Sequence, residues 1–307
     1  MRIAIVGAGG VGGYFGGRLA AAGADLTFLA RGRHLQALRT SGLHILSPKG
    51  NLHLPRVNAT DDPAAIGRVD VVLFAVKLYD NPSATPLLPP LVGPDTVIIP
   101  FQNGVDSVDL LIPAVGRPHV AGGTAYVAAV IAEPGVIRHT AMDRLIFGEL
   151  DGVRTPRLER LWDACRLAGF QATLSDRIEI DIWSKFVRLS TFSGMTAVTR
   201  SPIGPVRDDP DLCARYQAAA METMAVARAT GIALTAQVFD VVITAVHELP
   251  PNAKSSMLED LERGKPLELP WLSGAVVRIG SEVGVATPIH RFIATVLNLH
   301  ASGAAAR

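Results

Sequence analysis

The chain has 307 residues, with 29 lysines and arginines against 28 aspartates and glutamates and a formal net charge of +1. That length exceeds one ordinary core and predicts two domains, while the near-neutral balance argues against nucleic acid or an acidic membrane surface as a partner. Two cysteines, Cys165 and Cys213, and eight histidines without an H-x-x-x-H pair suggest neither a disulfide framework nor a Cys-based metal site, so no metal and a reducing cytoplasm are expected.

The opening MRIAIVGAGGVGGYFGGRLAAAG reads as strand, turn and helix. Arg2 to Val6 form the strand, and Gly7, Gly9 and Gly12 follow at G-x-G-x-x-G spacing. Gly7 permits the tight turn, Gly9 lets backbone N–H groups approach a pyrophosphate, and Gly12 lets the next helix pack close to the strand. The helix, from about Gly10 to Ala22, points its positive N-terminal end at the phosphates. The cofactor-facing residues are thus Gly7, Gly9, Gly10, Val11 and Gly12. The other readings, a flexible glycine loop or a signal peptide with Arg2 as its basic end, are not expected, because the glycines interrupt any apolar core and no small-residue cleavage site follows a continuous one.

A second strand, Leu26 to Ala30, ends where an NAD-specific fold places an acid for the ribose 2′-hydroxyl. Here the residue is Arg31, and no acidic residue occurs from Leu26 through Thr60. A guanidinium suits bidentate contact with a 2′-phosphate, so NADPH is the expected cofactor. The other reading of Arg31 is a solvated charge at a strand end.

VDVVLFAVK (Val69 to Lys77) and DTVIIPFQNG (Asp95 to Gly104) are apolar runs of the kind that buried parallel strands show. Between His119 and Glu149 long β segments flank the turn signal EPG, which predicts hairpin-connected strands at the sheet edge. A helix near Pro156 to Ala168 and a strand near Phe170 to Leu174 complete this half. The longest nearly uncharged stretch, Val120 to Ala132, is too short and too rich in Gly and Ala to span a membrane. Beyond Asp176 the period is helical: Arg177 to Val198, Pro205 to Gly231, Ala236 to Glu248, Ser255 to Arg263, Leu267 to Val283 and Pro288 to His300. The fold expected is an α/β Rossmann-type domain over residues 1–176, followed by an all-α domain over residues 177–307.

In such a fold the chemistry is expected at the carboxyl ends of the strands, facing the helical domain. Asn103 of FQNG sits at a strand end and can donate and accept hydrogen bonds; an Asn-Gly turn is the alternative reading. Lys185 of DIWSKFVRLS lies beside an apolar stripe of Ile182, Phe186 and Leu189, where a lysine usually snorkels to solvent. Arg188, one turn away, adds a positive field able to bind a substrate carboxylate or lower the lysine pKa, or else marks an ordinary exposed face.

Together, the glycine motif, Arg31, Lys77 in AVK, Asn103 in QNG, the W-x-K of Trp183 to Lys185, SSMLEDLERG at Ser255 to Gly264, and Glu268 in LELPWLSG resemble the ketopantoate reductase (2-dehydropantoate 2-reductase) family over almost the whole chain. The resemblance implies a Rossmann domain followed by a helical domain like that of 6-phosphogluconate dehydrogenase, and NADPH-dependent reduction of a 2-oxo acid. It implies Lys185 as proton donor, Glu268 as the catalytic-site glutamate, Asn103 as a substrate and cofactor contact, Ser256 as a hydroxyl for the substrate carboxylate, and Arg31 and Lys77 as cofactor contacts. A homodimer is left open. Where the family tends to carry polar residues, this chain has Leu189, Ser193, Pro270 and Ser273, so a more apolar 2-oxo acid than ketopantoate is the expected best substrate. A protein that binds NADPH without turnover is the remaining alternative, disfavoured by the presence of Lys185 and Glu268.

Overall fold

Along β1 (Arg2–Val6) side chains alternate between two hydrophobic clusters, Ile3 and Ile5 entering one and Ala4 and Val6 the other. The apolar runs therefore lack polar alternation because both faces of the strand are covered. In the computed structural model, which describes residues 1–304, the chain divides into two units: residues 1–102 with 106–178, and residues 103–105 with 179 onward.

In the first unit, α1 (Gly10–Ala21), β2 (Asp25–Leu29), α2 (Gly32–Ser41), β3 (Leu43–Leu46), β4 (Leu52–Leu54), β5 (Asn58–Thr60), α3 (Pro63–Ile66), β6 (Val69–Phe74), α4 (Asn81–Ala84) and β7 (Val92–Pro100) follow β1. Next come α5 (Ser107–Val115), β8 (Gly122–Glu133), β9 (Val136–Gly148), α6 (Pro156–Leu167) and β10 (Gln171–Leu174). The first sheet has the order β5-β2-β1-β6-β7 and is parallel throughout. With β1 between β2 and β6, the carboxyl end of β1 is the point from which successive crossovers leave in opposite directions.

The long hairpin departs from the sequence expectation. β8 and β9 pair antiparallel across the EPG turn, but they do not extend the edge of the first sheet. They form a second sheet, in which β9 also pairs parallel with β10 and β3, and β3 pairs antiparallel with β4. The abundance of glycine in α1 has its physical reason here. A methyl group at Gly12 or Gly16 would collide with Gly7, Ile5 or Phe28 of the first-sheet strands and turn, and one at Gly13 or Gly17 with Ile137, Ile45 or Leu43 of the second sheet. The helix is packed closely on both sides, which larger side chains forbid.

In the second unit α7 (Ile178–Thr199) leads into α8 (Ile203–Asp208), α9 (Pro210–Ala229), α10 (Ala236–Glu248), α11 (Ser256–Glu262), α12 (Ser273–Glu282) and α13 (Pro288–Leu297). Trp183, Phe186 and Val187 of α7 join Tyr216, Met224 and Val226 of α9, Val276 of α12 and Ile293 of α13 in one core. Two expected helices are each broken. Asp209 accepts a hydrogen bond from the Leu212 N–H at 2.9 Å as the cap of α9, and Pro210 follows it, so Pro205 to Gly231 is two helices. Leu267 to Val283 is a 3₁₀ turn at Leu269–Trp271, an irregular Leu272, and then α12. Glu268 is thereby held at the start of a turn instead of within a helix.

Candidate active site

In the first unit the glycine turn has the features that a dinucleotide pyrophosphate requires. Gly7 has φ +95°, open only to glycine without strain, and a methyl group there would press on Val76. Gly9 is the N-cap residue of α1, has no side chain to satisfy the first-turn N–H groups, and has no atom within 4 Å of the position that a Cβ would take. Unfilled space over a bare helix N-terminus is what an anion needs. Gly10 and Val11 are half-buried in this first turn. Arg31, exposed, is the residue just before α2 and pairs with Asp80. Lys77 is the exposed residue that precedes the 3₁₀ turn Leu78–Asp80 after β6.

Buried Gln102 fixes the end of the QNG loop within this unit. Its amide donates to the Val76 carbonyl at 2.8 Å and to Asn81 Oδ1 at 2.6 Å, and its Oε1 accepts from Ser107 Oγ at 2.8 Å. The next residue, Asn103, belongs to the second unit.

There three of the residues named from sequence meet. Lys185 Nζ donates to Asn103 Oδ1 at 3.2 Å, and Asn103 Nδ2 donates to Glu268 Oε2 at 3.0 Å. Asn103 thus links an ammonium to a carboxylate that is only 6 % exposed. Burial lowers the Lys185 pKa to about 8, against the opposing pull of Glu268 and with a smaller push from Arg188. An ammonium with that pKa is charged at neutrality yet gives up its proton readily, as a general acid must. Arg188 also lies near Tyr216, whose hydroxyl is pushed well above its usual range by burial. Ser256 is the exposed first residue of α11; the buried hydroxyl is its neighbour Ser255, which caps α11 through the Leu258 N–H and bonds Thr196 Oγ1 at 2.7 Å.

The positions where the chain departs from its resemblance divide in two. Leu189 is half-buried and Pro270 exposed, whereas Ser193 and Ser273 are fully buried. Ser273 Oγ lies 3.2 Å from His290 Nδ1, and His290 Nε2 lies 3.0 Å from the Ala219 carbonyl and 2.9 Å from Thr223 Oγ1. Burial lowers the His290 pKa to about 4, so a neutral imidazole donates from Nε2 and accepts from Ser273. This network anchors the first residue of α12, five residues after Glu268. Sequence reading gave no sign of it, because its members come from three helices. Among the described residues no group of three His, Cys, Asp or Glu gathers as a metal site, and no helix is long and apolar enough to cross a membrane.

Comparison with known proteins decides the family. The model for ketopantoate reductase PanE/ApbA matches residues 3–152 and the one for its C-terminal part residues 177–301. The chain belongs to the ketopantoate reductase family. A 2-dehydropantoate 2-reductase of Mesorhizobium japonicum is 32% identical over 309 residues, covering 94% of each chain. The uncharacterized oxidoreductase YkpB of Bacillus subtilis is 32% identical over 291 residues, covering 94% of this chain and 95% of its own. The structure of 2-dehydropantoate 2-reductase from Geobacter metallireducens superposes with a TM-score of 0.91 at 31% identity, over 97% of this chain and 99% of that one. D-mandelate dehydrogenase, determined with NADH and anilino(oxo)acetate, shares the fold at a TM-score of 0.89 and 20% identity, over 98% of both. An oxidoreductase with a Rossmann-type domain and a helical domain, as expected of a ketopantoate reductase relative, is therefore what this chain encodes.

Proposed function

We propose that the protein reduces a 2-oxo acid to the 2-hydroxy acid with NADPH, and that Lys185 delivers the proton. The observation that carries this reading is the Lys185–Asn103–Glu268 chain, in which a half-buried ammonium of pKa about 8 is joined through an amide to a buried carboxylate. When bound, the reduced nicotinamide supplies a hydride to the carbonyl carbon. As charge develops on the carbonyl oxygen, the Lys185 ammonium stabilises it and donates its proton there. Asn103 orients the ammonium through Oδ1 while its Nδ2 holds Glu268 in place, and Glu268 favours the charged lysine or takes a substrate hydroxyl. Arg188 and Ser256 are assigned to the substrate carboxylate. Gly7, Gly9, Gly10, Val11 and Gly12 receive the pyrophosphate, and Arg31, Lys77 and Asn103 the rest of the cofactor.

The substrate is 2-dehydropantoate or a related acid, and Leu189 and Pro270 favour one with a more apolar side chain. A site built to bond a hydroxyl rejects an analogue lacking it, whereas a leucine surface gains from each added methylene. We place the enzyme in the cytoplasm, with residues 1–176 as the cofactor domain and residues 177–307 as the substrate domain and the surface for any homodimer. The test is NADPH oxidation against a panel of 2-oxo acids graded from hydroxylated to apolar. Turnover of one of them with kcat/KM above that for 2-dehydropantoate supports the apolar reading, strong preference for 2-dehydropantoate overturns it, and failure to turn over any overturns the reductase assignment.

A further inference from the structure

The carboxylate missing from residues 26–60 enters from elsewhere in the chain. Arg31 Nη2 donates to Asp80 Oδ1 in a short ion pair. Arg31 follows β2 and Asp80 follows β6, and these strands flank β1, so the pair reaches across the carboxyl end of the strand that feeds the glycine turn. The two partners are not equally held. The Arg31 side chain is 71% exposed, whereas that of Asp80 is 28% exposed. The Asp80 backbone is fixed in a 3₁₀ turn, its N–H bonded to the Lys77 carbonyl at 2.9 Å and its carbonyl accepting from Ser83 Oγ at 2.9 Å. The carboxylate is the stationary member, and the guanidinium, on a long solvent-facing arm, is the one able to change partner.

We propose that Asp80 is a specificity-determining residue for the cofactor, engaging Arg31 in competition with the 2′-phosphate of NADPH and offering an acceptor to the 2′-hydroxyl of NADH, so that it narrows the preference between the two. This rests on the dinucleotide reading above and deepens it. A 2′-phosphate brings charge of the same sign as the carboxylate, so it must draw the guanidinium away or share it against repulsion from Asp80. NADH has no such phosphate, and its 2′-hydroxyl can donate to the carboxylate in the manner of the acid that closes the second strand in NAD-specific folds. Arg31 alone therefore does not set the preference.

Dissociation constants for NADPH, NADH, 2′,5′-ADP and 5′-AMP, measured by titration calorimetry, test this with wild type, Asp80→Asn, Asp80→Ser, Arg31→Ala and the double variant Arg31→Ala with Asp80→Asn. An exposed ion pair is worth little, so the expected change is modest: Asp80→Asn and Asp80→Ser tighten NADPH and 2′,5′-ADP about 3- to 10-fold and leave NADH and 5′-AMP unchanged or weaker. In the Arg31→Ala background the effect of Asp80→Asn on NADPH shrinks, because only the direct repulsion between carboxylate and 2′-phosphate is left to relieve. If both Asp80 variants keep the wild-type NADPH to NADH ratio, or weaken NADPH, while Arg31→Ala still lowers that ratio, the role of Asp80 is wrong and that of Arg31 stands. If Arg31→Ala leaves the ratio untouched, the 2′-phosphate reading itself fails.

Discussion

Replacing Asn103 by leucine keeps approximate volume and removes both hydrogen bonds that join Lys185 to Glu268. Asn103 is not among the residues with positive φ, so leucine adds no backbone strain there. The larger loss is at Glu268, 6 % exposed, which forfeits a donor; a hydrogen bond to a charged group contributes about 1.5–3 kcal/mol. Half-buried Lys185 has other interactions, so its share is smaller. A net loss of about 2 kcal/mol lowers the melting temperature by roughly 4–8 °C. The same change moves a titration. The Asn103 oxygen favours the charged lysine, so without it the Lys185 pKa, already brought to about 8 by burial, falls further. Since reduction needs the ammonium, the wild-type rate should decline above about pH 8 and the variant's decline should begin at lower pH. Circular dichroism melts and kcat against pH measure both effects. An Asn103→Leu enzyme that melts as wild type and keeps the same alkaline limb would refute the bridging role.

Gly9→Ala should leave the melting temperature of the free protein within the change expected of a neutral substitution, because a methyl group there meets no atom within 4 Å, yet weaken NADPH binding by about 10-fold or more as it intrudes on the phosphate approach. Gly12→Ala should instead destabilise by about 1–3 kcal/mol, since its methyl meets the Gly7 carbonyl; equal melting behaviour of the two variants in thermal scans would contradict this division. His290 makes stability pH-dependent: its folded pKa of about 4 lies below the unfolded value of 6.5, so its contribution is full above 6.5 and lost as pH falls toward 4, by up to about 3 kcal/mol. Urea unfolding at pH 7 and pH 4.5 should show that loss reduced in His290→Asn, and an unchanged pH dependence in the variant would rule His290 out. Ser193→Asn, whose added atoms have no room at a fully buried position, should lower the urea midpoint by the equivalent of about 1–3 kcal/mol; an unchanged midpoint would mean that the site is roomier than its burial implies.

Local chemistry made much of the fold legible. The glycine spacing after a β-branched run, the apolar strands and the 3.6-residue periods beyond Asp176 each depend on neighbours in sequence, so strand, turn and helix could be read directly. The second sheet could not. Two of its strands, β3 and β4, are only four and three residues long, LHIL and LHL, and β3 finds its partner β9 some ninety positions away. The break before Pro210 did carry a signal, an aspartate cap followed by proline, which the continuous helical period obscured. In the candidate site Asn103 at a strand end and Lys185 beside an apolar stripe are legible in the sequence and Glu268 through family resemblance, but not that Asn103 bridges the other two. Asp80 is not legible from the second strand, because the carboxylate that meets Arg31 arrives from β6 on the other side of β1. Glu222, whose carboxylate accepts from the N–H groups of Ile289 and His290 at the start of α13, likewise depends on helices that only the folded chain brings together.

The most direct test of the central claim is Lys185→Ala assayed with the best 2-oxo acid of the panel, with NADPH affinity measured on the same preparation. A positioned proton donor contributes about 10²–10⁴-fold. The account predicts that kcat falls by at least about 10²-fold while the NADPH dissociation constant and the melt remain close to wild type, and that the alkaline limb near pH 8 vanishes from the residual rate. A variant that keeps near-normal turnover, or one whose residual rate still declines through pH 8, would contradict it.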